Sequence, residues 1–143
     1  MVDNSLYVFD ASLLDYADVS CTIGVRNDQT LEHLHQGLRS AFNWDDDHLY
    51  SFWLSGVHWD GPETEFTAPD ELEMSEARTA DIRLRDLDLE VGRPIAYVFD
   101  FGDEWRVLLH LREQVPPETG ARYPKVLTRS GEPPPQYTYE DDE

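Results

Sequence analysis

The chain has 143 residues, 40% of them hydrophobic, including 4 Trp, 7 Tyr and 6 Phe. It is long enough to bury one core and too apolar to stay disordered. Thirty acidic side chains against eleven basic ones leave a formal net charge of −19. That balance argues against nucleic acid and anionic membranes as partners, because both are held by clustered Lys and Arg.

The imbalance is uneven. Residues 1–77 carry sixteen acidic and two basic side chains, whereas residues 78–143 carry fourteen and nine. Solubility is one consequence of such a charge; attraction of a basic protein or peptide is another. No apolar run approaches the roughly 20 residues of a membrane span, and the Met1-Val2-Asp3-Asn4-Ser5 start lacks the features of a signal peptide. Cys21 is the single cysteine, which removes an internal disulfide framework and a multi-thiolate zinc site. A reducing, cytoplasmic setting is expected, with no cofactor.

Along the chain, Leu6-Tyr7-Val8-Phe9 reads as a short first strand. The segment holding Asp10, Asp15 and Asp18 fits a loop or a helical turn. Val19, Cys21, Ile23 and Val25 then alternate with Ser20, Thr22 and Gly24, the period of a half-buried strand. A helix is predicted next, capped by Thr30 or Asp28, with Leu31, Leu34, His35, Leu38, Ala41 and Phe42 on one stripe. Asn43-Trp44-Asp45-Asp46-Asp47 ends it. His48 to Leu54 is rich in strand formers.

From Trp59 to Ala80 the pattern dissolves, and a long acidic surface loop is expected there, with a short helical turn near Glu71–Arg78. Ile82, Leu84, Leu87 and Leu89 suggest a short strand or turn leading into a brief helix. The strongest hairpin pairs Ile95, Tyr97, Phe99 and Phe101 with Trp105, Val107, Leu109 and Leu111. Gly102 supplies the expected freedom at its turn, with Asp103 beside it. Pro116-Pro117 stops the second strand. The remainder reads as an extended segment wrapping the surface. The expected architecture is α+β: a single domain over 1–137, mainly antiparallel sheet on one principal helix, then an acidic, frayed tail over 138–143.

Several polar clusters are candidates for chemistry. Asp45, Asp46, Asp47 and His48 either ligate a divalent cation or form a solvated turn, and alternation lets at most two of them face one ion. His35, on the apolar stripe, is either a buried histidine bonded to a tyrosine or carboxylate, or one member of a metal or acid–base site with His48 and Asp100 or Asp103. Asp100 and Asp103 either fix the hairpin turn through backbone amides or line a cleft edge. Trp44 and Trp105, with Trp53 and Trp59, join the carboxylates as a surface for a cationic partner, or pack under loops. Cys21 reads as a buried strand residue with no positive charge nearby to form a thiolate.

Three stretches together resemble the family named after plasmid pRiA4b ORF-3. They are Thr30–His35 running on through Ala41–Phe52, then Tyr97–Trp105 with its Tyr-Val-Phe-Asp-Phe-Gly-Asp-Glu-Trp order, and Tyr123-Pro124 followed by Gly131-Glu132-Pro133-Pro134. The resemblance implies a shared fold over about residues 30–135. It departs from the family pattern at Asp18–Ile23, at Val107 after Trp105-Arg106, and at Pro135-Gln136-Tyr137. Some members carry a resolvase-like label, which this chain's scarcity of clustered arginine and lysine opposes. Two functions are therefore expected: an interaction or ligand-binding module, linked to plasmids or mobile elements, that presents acidic and aromatic groups to a basic partner; or a metal-dependent enzyme using His35, His48, Asp100 and Asp103.

Overall fold

A computed structural model describes residues 5–16, 18–45, 48–69 and 78–134. Among them are eight strands in one sheet and a single α-helix. The strands are β1 (Leu6–Leu13), β2 (Ser20–Arg26), β3 (Tyr50–Trp53), β4 (Glu65–Thr67), β5 (Arg78–Thr79), β6 (Pro94–Phe99), β7 (Trp105–Val115) and β8 (Lys125–Ser130). Their order across the sheet is β5-β4-β3-β6-β7-β1-β2-β8. Every neighbouring pair is antiparallel except β4 and β5, which run parallel.

Alternation decides which side chains enter the main core. Tyr7, Phe9 and Ala11 from β1, Cys21, Ile23 and Val25 from β2, and Tyr97 and Phe99 from β6 share one buried cluster with Val107, Leu109 and Leu111 from β7. The helix α1 (Leu31–Phe42) closes that face with the six-residue stripe read from the sequence, all six buried. Thr30 caps it: its Oγ1 accepts from the His33 amide, and His33 Nδ1 accepts from the Thr30 amide in return. A histidine thus takes the place that Glu or Gln fills in the usual capping box. At the other end Asn43 turns left-handed (φ 62°) and redirects the chain, so that Trp44 folds back into the core.

The opposite face of the sheet is covered by a loop instead of a helix. Trp53, Ala96 and Val98 form a second, small buried cluster. Trp53 Nε1 donates to the carbonyl of Asp60, and His58 Nε2 lies 3.1 Å from the carbonyl of Val107. A carbonyl only accepts, so the His58 proton sits on Nε2. Burial pushes the His58 pKa down from its ordinary value.

Three expectations change. β1 runs on through Asp10 to Leu13, with Asp10 facing Thr22 across the pair, so the first strand is twice as long as the apolar run implies. The stretch read as one acidic loop holds β4 and β5, while residues 70–77, where a helical turn was expected, lie outside the described residues. The surface-wrapping segment is in part a strand, β8, paired with β2 at the sheet edge. Residues 135–143, including the expected acidic tail, lie outside the described residues. The Ile82–Leu89 stretch agrees with its reading: an isolated bridge from Arg83 to Thr30 leads into a 3-10 turn at Leu84–Asp86, tied to the helix entry by Leu84 N–H to the Gln29 carbonyl. No helix among the described residues is long and apolar enough to cross a membrane.

Helix and sheet meet closely at Gly37, where an added Cβ would sit 2.9 Å from Ile23 Cγ2 and 3.4 Å from Pro124. Ile23 is fully buried and its branch methyl has nowhere to go. Gly37→Val is therefore expected to destabilise the fold by about 2 kcal/mol, in the range of overpacked cores. Urea unfolding checks it; an unchanged midpoint would show that the helix–sheet gap yields.

Candidate functional site

The turn between β6 and β7 positions the polar groups of interest. Asp100 follows the last residue of β6 in the left-handed region (φ 68°). Its Oδ1 accepts from the amides of Gly102 (3.1 Å) and Asp103 (3.3 Å), and its carbonyl accepts from the Glu104 amide. Asp tolerates this conformation because its short side chain bonds the local backbone. The left-handed positions of the turn are Asp100 and Glu104 (φ 53°), so Gly102 does not take the role expected of it.

The second carboxylate oxygen, Oδ2, lies 3.6 Å from His48 Nε2, beyond hydrogen-bond length but within ion-pair range. His48 packs edge-on to Phe99, and its side chain is 30% exposed. Deeper in, His35 is 1% exposed, stacks on Tyr50 at 3.7 Å with rings 11° from parallel, and shares a 2.8 Å hydrogen bond through Nδ1 with the Tyr97 hydroxyl.

These groups line one cleft of about 640 Å³. Glu32, His35 and Gln36 on α1 form one side, His48 and Tyr50 another, and Asp100 and Phe101 the hairpin side. Leu49, Ala68 and Pro69 complete it. None of the described lining residues is Lys or Arg. The cleft therefore combines two carboxylates, two imidazoles, an amide and aromatic surface, a set suited to a cation with N–H donors.

The structure sorts the sequence candidates. It brings His35, His48 and Asp100 to one cleft. Trp44 is 2% exposed and stacked 4.9 Å from Phe99, so it is a core residue and not a partner contact. Its burial follows from the left-handed Asn43 that ends α1. Trp105 is half-buried between Trp44 and Tyr16. Asp45 and Asp103 are exposed, and neither lines the cleft; Asp46 and Asp47 lie outside the described residues. Glu32 and Gln36, polar positions beside the apolar stripe of α1, flank the cleft; they sit one turn apart, which the i, i+4 spacing permits.

Among the described residues no group of three or more His, Cys, Asp or Glu is placed to hold a metal ion. Metal chemistry through His35, His48, Asp100 and Asp103 finds only the His48–Asp100 pair at ion-pair distance. Cys21 is buried, and burial pushes its thiol up to about 12. Arg129, its cross-strand partner, pulls the other way, a cation that sequence reading missed; desolvation outweighs it.

Residues 7–138 match the family described as Plasmid pRiA4b ORF-3-like protein. The chain belongs to that family. A relative from Sinorhizobium fredii (strain NBRC 101917 / NGR234), named "Uncharacterized protein y4hQ", is 29% identical over 107 residues, which are 74% of this chain and 52% of that protein. The chain thus spans about half the length of this curated relative. The crystal structure of the protein of unknown function MM3350 from Methanosarcina mazei Go1 is similar in fold, with a TM-score of 0.70 and 21% identity, over 90% of this chain and 70% of that one.

Two outcomes test this site description. Asp100→Ala removes both amide acceptors and asks a Cβ residue without a polar cap to stay left-handed, so a loss of about 2–3 kcal/mol is expected. Asp100→Asn keeps the acceptor and should unfold within about 0.5 kcal/mol of the parent chain; equal losses in the two variants would count against the capping role. For Cys21, iodoacetamide should leave the folded protein unlabelled and modify it fully in denaturant. Rapid labelling under native conditions would show an accessible thiol.

Proposed function

We propose that this pRiA4b ORF-3-like chain is a binding module that takes a cationic side chain of a basic protein or peptide into the cleft between α1 and the β6–β7 turn. The observation that carries the reading is the carboxylate of Asp100. One oxygen is committed to the turn, and the other lies on the His48 side in a cleft of about 640 Å³ with Glu32 as its second acid. A partly desolvated carboxylate binds a cation more strongly than one in bulk water. The aromatic walls add attraction for a guanidinium or ammonium group.

The net charge of −19 supports the same partner at longer range, since it raises the encounter rate with a polycation and disfavours polyanions. In this reading the protein works in the cytoplasm as a single domain, where a lone buried thiol stays reduced. A link to plasmids or mobile elements rests on the family's name.

Calorimetric titration with a short arginine-rich peptide tests the proposal, with a neutral peptide of equal length as control. Binding by the arginine peptide alone is expected, weakening as salt rises. Asp100→Asn and Glu32→Gln should each lower affinity by about fivefold, the equivalent of one partly exposed charge contact. Equal binding of both peptides, or affinity indifferent to both substitutions, would remove the cleft from the account.

A further inference from the structure

Six described residues other than glycine adopt positive φ: Asp15, Asn43, Trp59, Asp88, Asp100 and Glu104. Four are Asp or Asn, whose short side chains make the left-handed region tolerable. Trp59 (φ 62°) and Glu104 (φ 53°) lack such a side chain, although Glu104 also closes the β6–β7 turn through its amide. Each costs about 1–2 kcal/mol relative to an ordinary backbone, and such strain persists where the surroundings over-determine it, commonly at ligand-contacting positions.

These two strained residues touch each other. Trp59 Nε1 donates to Glu104 Oε1 at 3.2 Å, across 45 positions of sequence. The indole is also fixed by Trp53, with ring centroids 5.1 Å apart, and by Phe101 at 5.3 Å in an edge contact. Yet the residue is 48% exposed. A large apolar ring is therefore held in one orientation, half in water, beside the exposed carboxylate of Glu104. Burial does not explain this arrangement, since Trp53 already fills the small cluster beneath it.

We infer that Trp59 and Glu104 form a docking platform for an arginine guanidinium of the same basic partner. This rests on the proposed binding role and adds a second contact to it. A guanidinium suits the pair better than an ammonium: it is planar and weakly hydrated, so it stacks on the indole while giving an N–H to Glu104. Phe101 and the turn connect the platform to the cleft. Phe101 lines the cleft and packs on Trp59, and the turn that begins at Asp100 ends at Glu104. A partner segment would thus place one cation in the cleft and another over the indole.

The arginine-rich peptide, its lysine-for-arginine counterpart and the full chain provide the test, again by calorimetric titration. Trp59→Leu keeps apolar bulk against Trp53 and Phe101 but removes the π face; Glu104→Gln keeps an acceptor for the indole but removes the charge. Each should weaken the arginine peptide by about 3- to 10-fold, with Trp59→Phe intermediate. Thermal unfolding of each variant verifies the fold, and Glu104→Gln, which deletes no packing, decides the matter if Trp59→Leu unfolds. Binding lost in Asp100→Asn but retained in Trp59→Leu and Glu104→Gln would overturn the platform and leave the cleft standing. The reverse pattern would overturn the cleft alone. Equal affinity for the lysine peptide would overturn the guanidinium assignment, and no binding by the unmodified chain would overturn both ideas.

Discussion

The two oxygens of Asp100 divide the work on which the site depends. Oδ1 closes the β6–β7 turn through two amides, while Oδ2 stands within ion-pair range of His48. The turn fixes where Phe101 and Glu104 emerge, hence both the hairpin wall of the cleft and the acid beside Trp59. Because a carboxylate bonded to backbone amides is held in one rotamer, the second oxygen is positioned without entropy left to lose on binding. A free surface aspartate would have to be ordered by its ligand.

The main core supplies the rigid backing. His35 sits at the bottom of the cleft, yet it is a core residue by its contacts, stacked on Tyr50 and bonded to Tyr97. Buried polar groups of this kind rigidify their surroundings when they are satisfied. Tyr50 and Tyr97 come from the paired strands β3 and β6, and His35 from α1, so one small network joins the helix to the sheet at the depth of the cleft. The wall carrying Glu32 and Gln36 is thereby held at a set distance from the wall carrying Asp100.

Much of this frame was legible in the residues because side-chain periodicity reports burial. The stripe of α1, the alternation of β2 and the hairpin of β6 and β7 all present one apolar face, and all three form where expected. β4, β5 and β8 were not legible. They have 3, 2 and 6 residues, and β8 carries Lys125, Thr128, Arg129 and Ser130, so backbone pairing with a neighbour defines them more than any apolar pattern does. At the site, His35, His48 and Asp100 stood out as polar residues among apolar ones. Trp44 misled, because its acidic neighbours suggest a surface while the left-handed Asn43 sends it inward. The Trp59–Glu104 contact left no trace in the sequence: it joins two positions far apart, and the nearby Gly102 was the natural choice for the conformation that Glu104 takes.

The excess of acid is also distributed in a way that bears on function. Many of the basic side chains are engaged within the chain: Arg112 grips Asp10 across β7 and β1, Arg106 meets Asp15, Arg26 meets Asp28, and Arg129 donates to the Ser40 carbonyl near the helix end. Exposed pairs like these contribute about 0–1 kcal/mol each, so their stabilising effect is small. Their larger consequence is to occupy cations within the chain, while the described lining of the cleft, which includes Glu32 and Asp100, holds no Lys or Arg. Arg78 against Phe66 and Arg93 against Glu90 are engaged in the same way at the β4–β5 edge and before β6, so internal pairing of cations extends across the sheet and leaves the excess acid to set the long-range field.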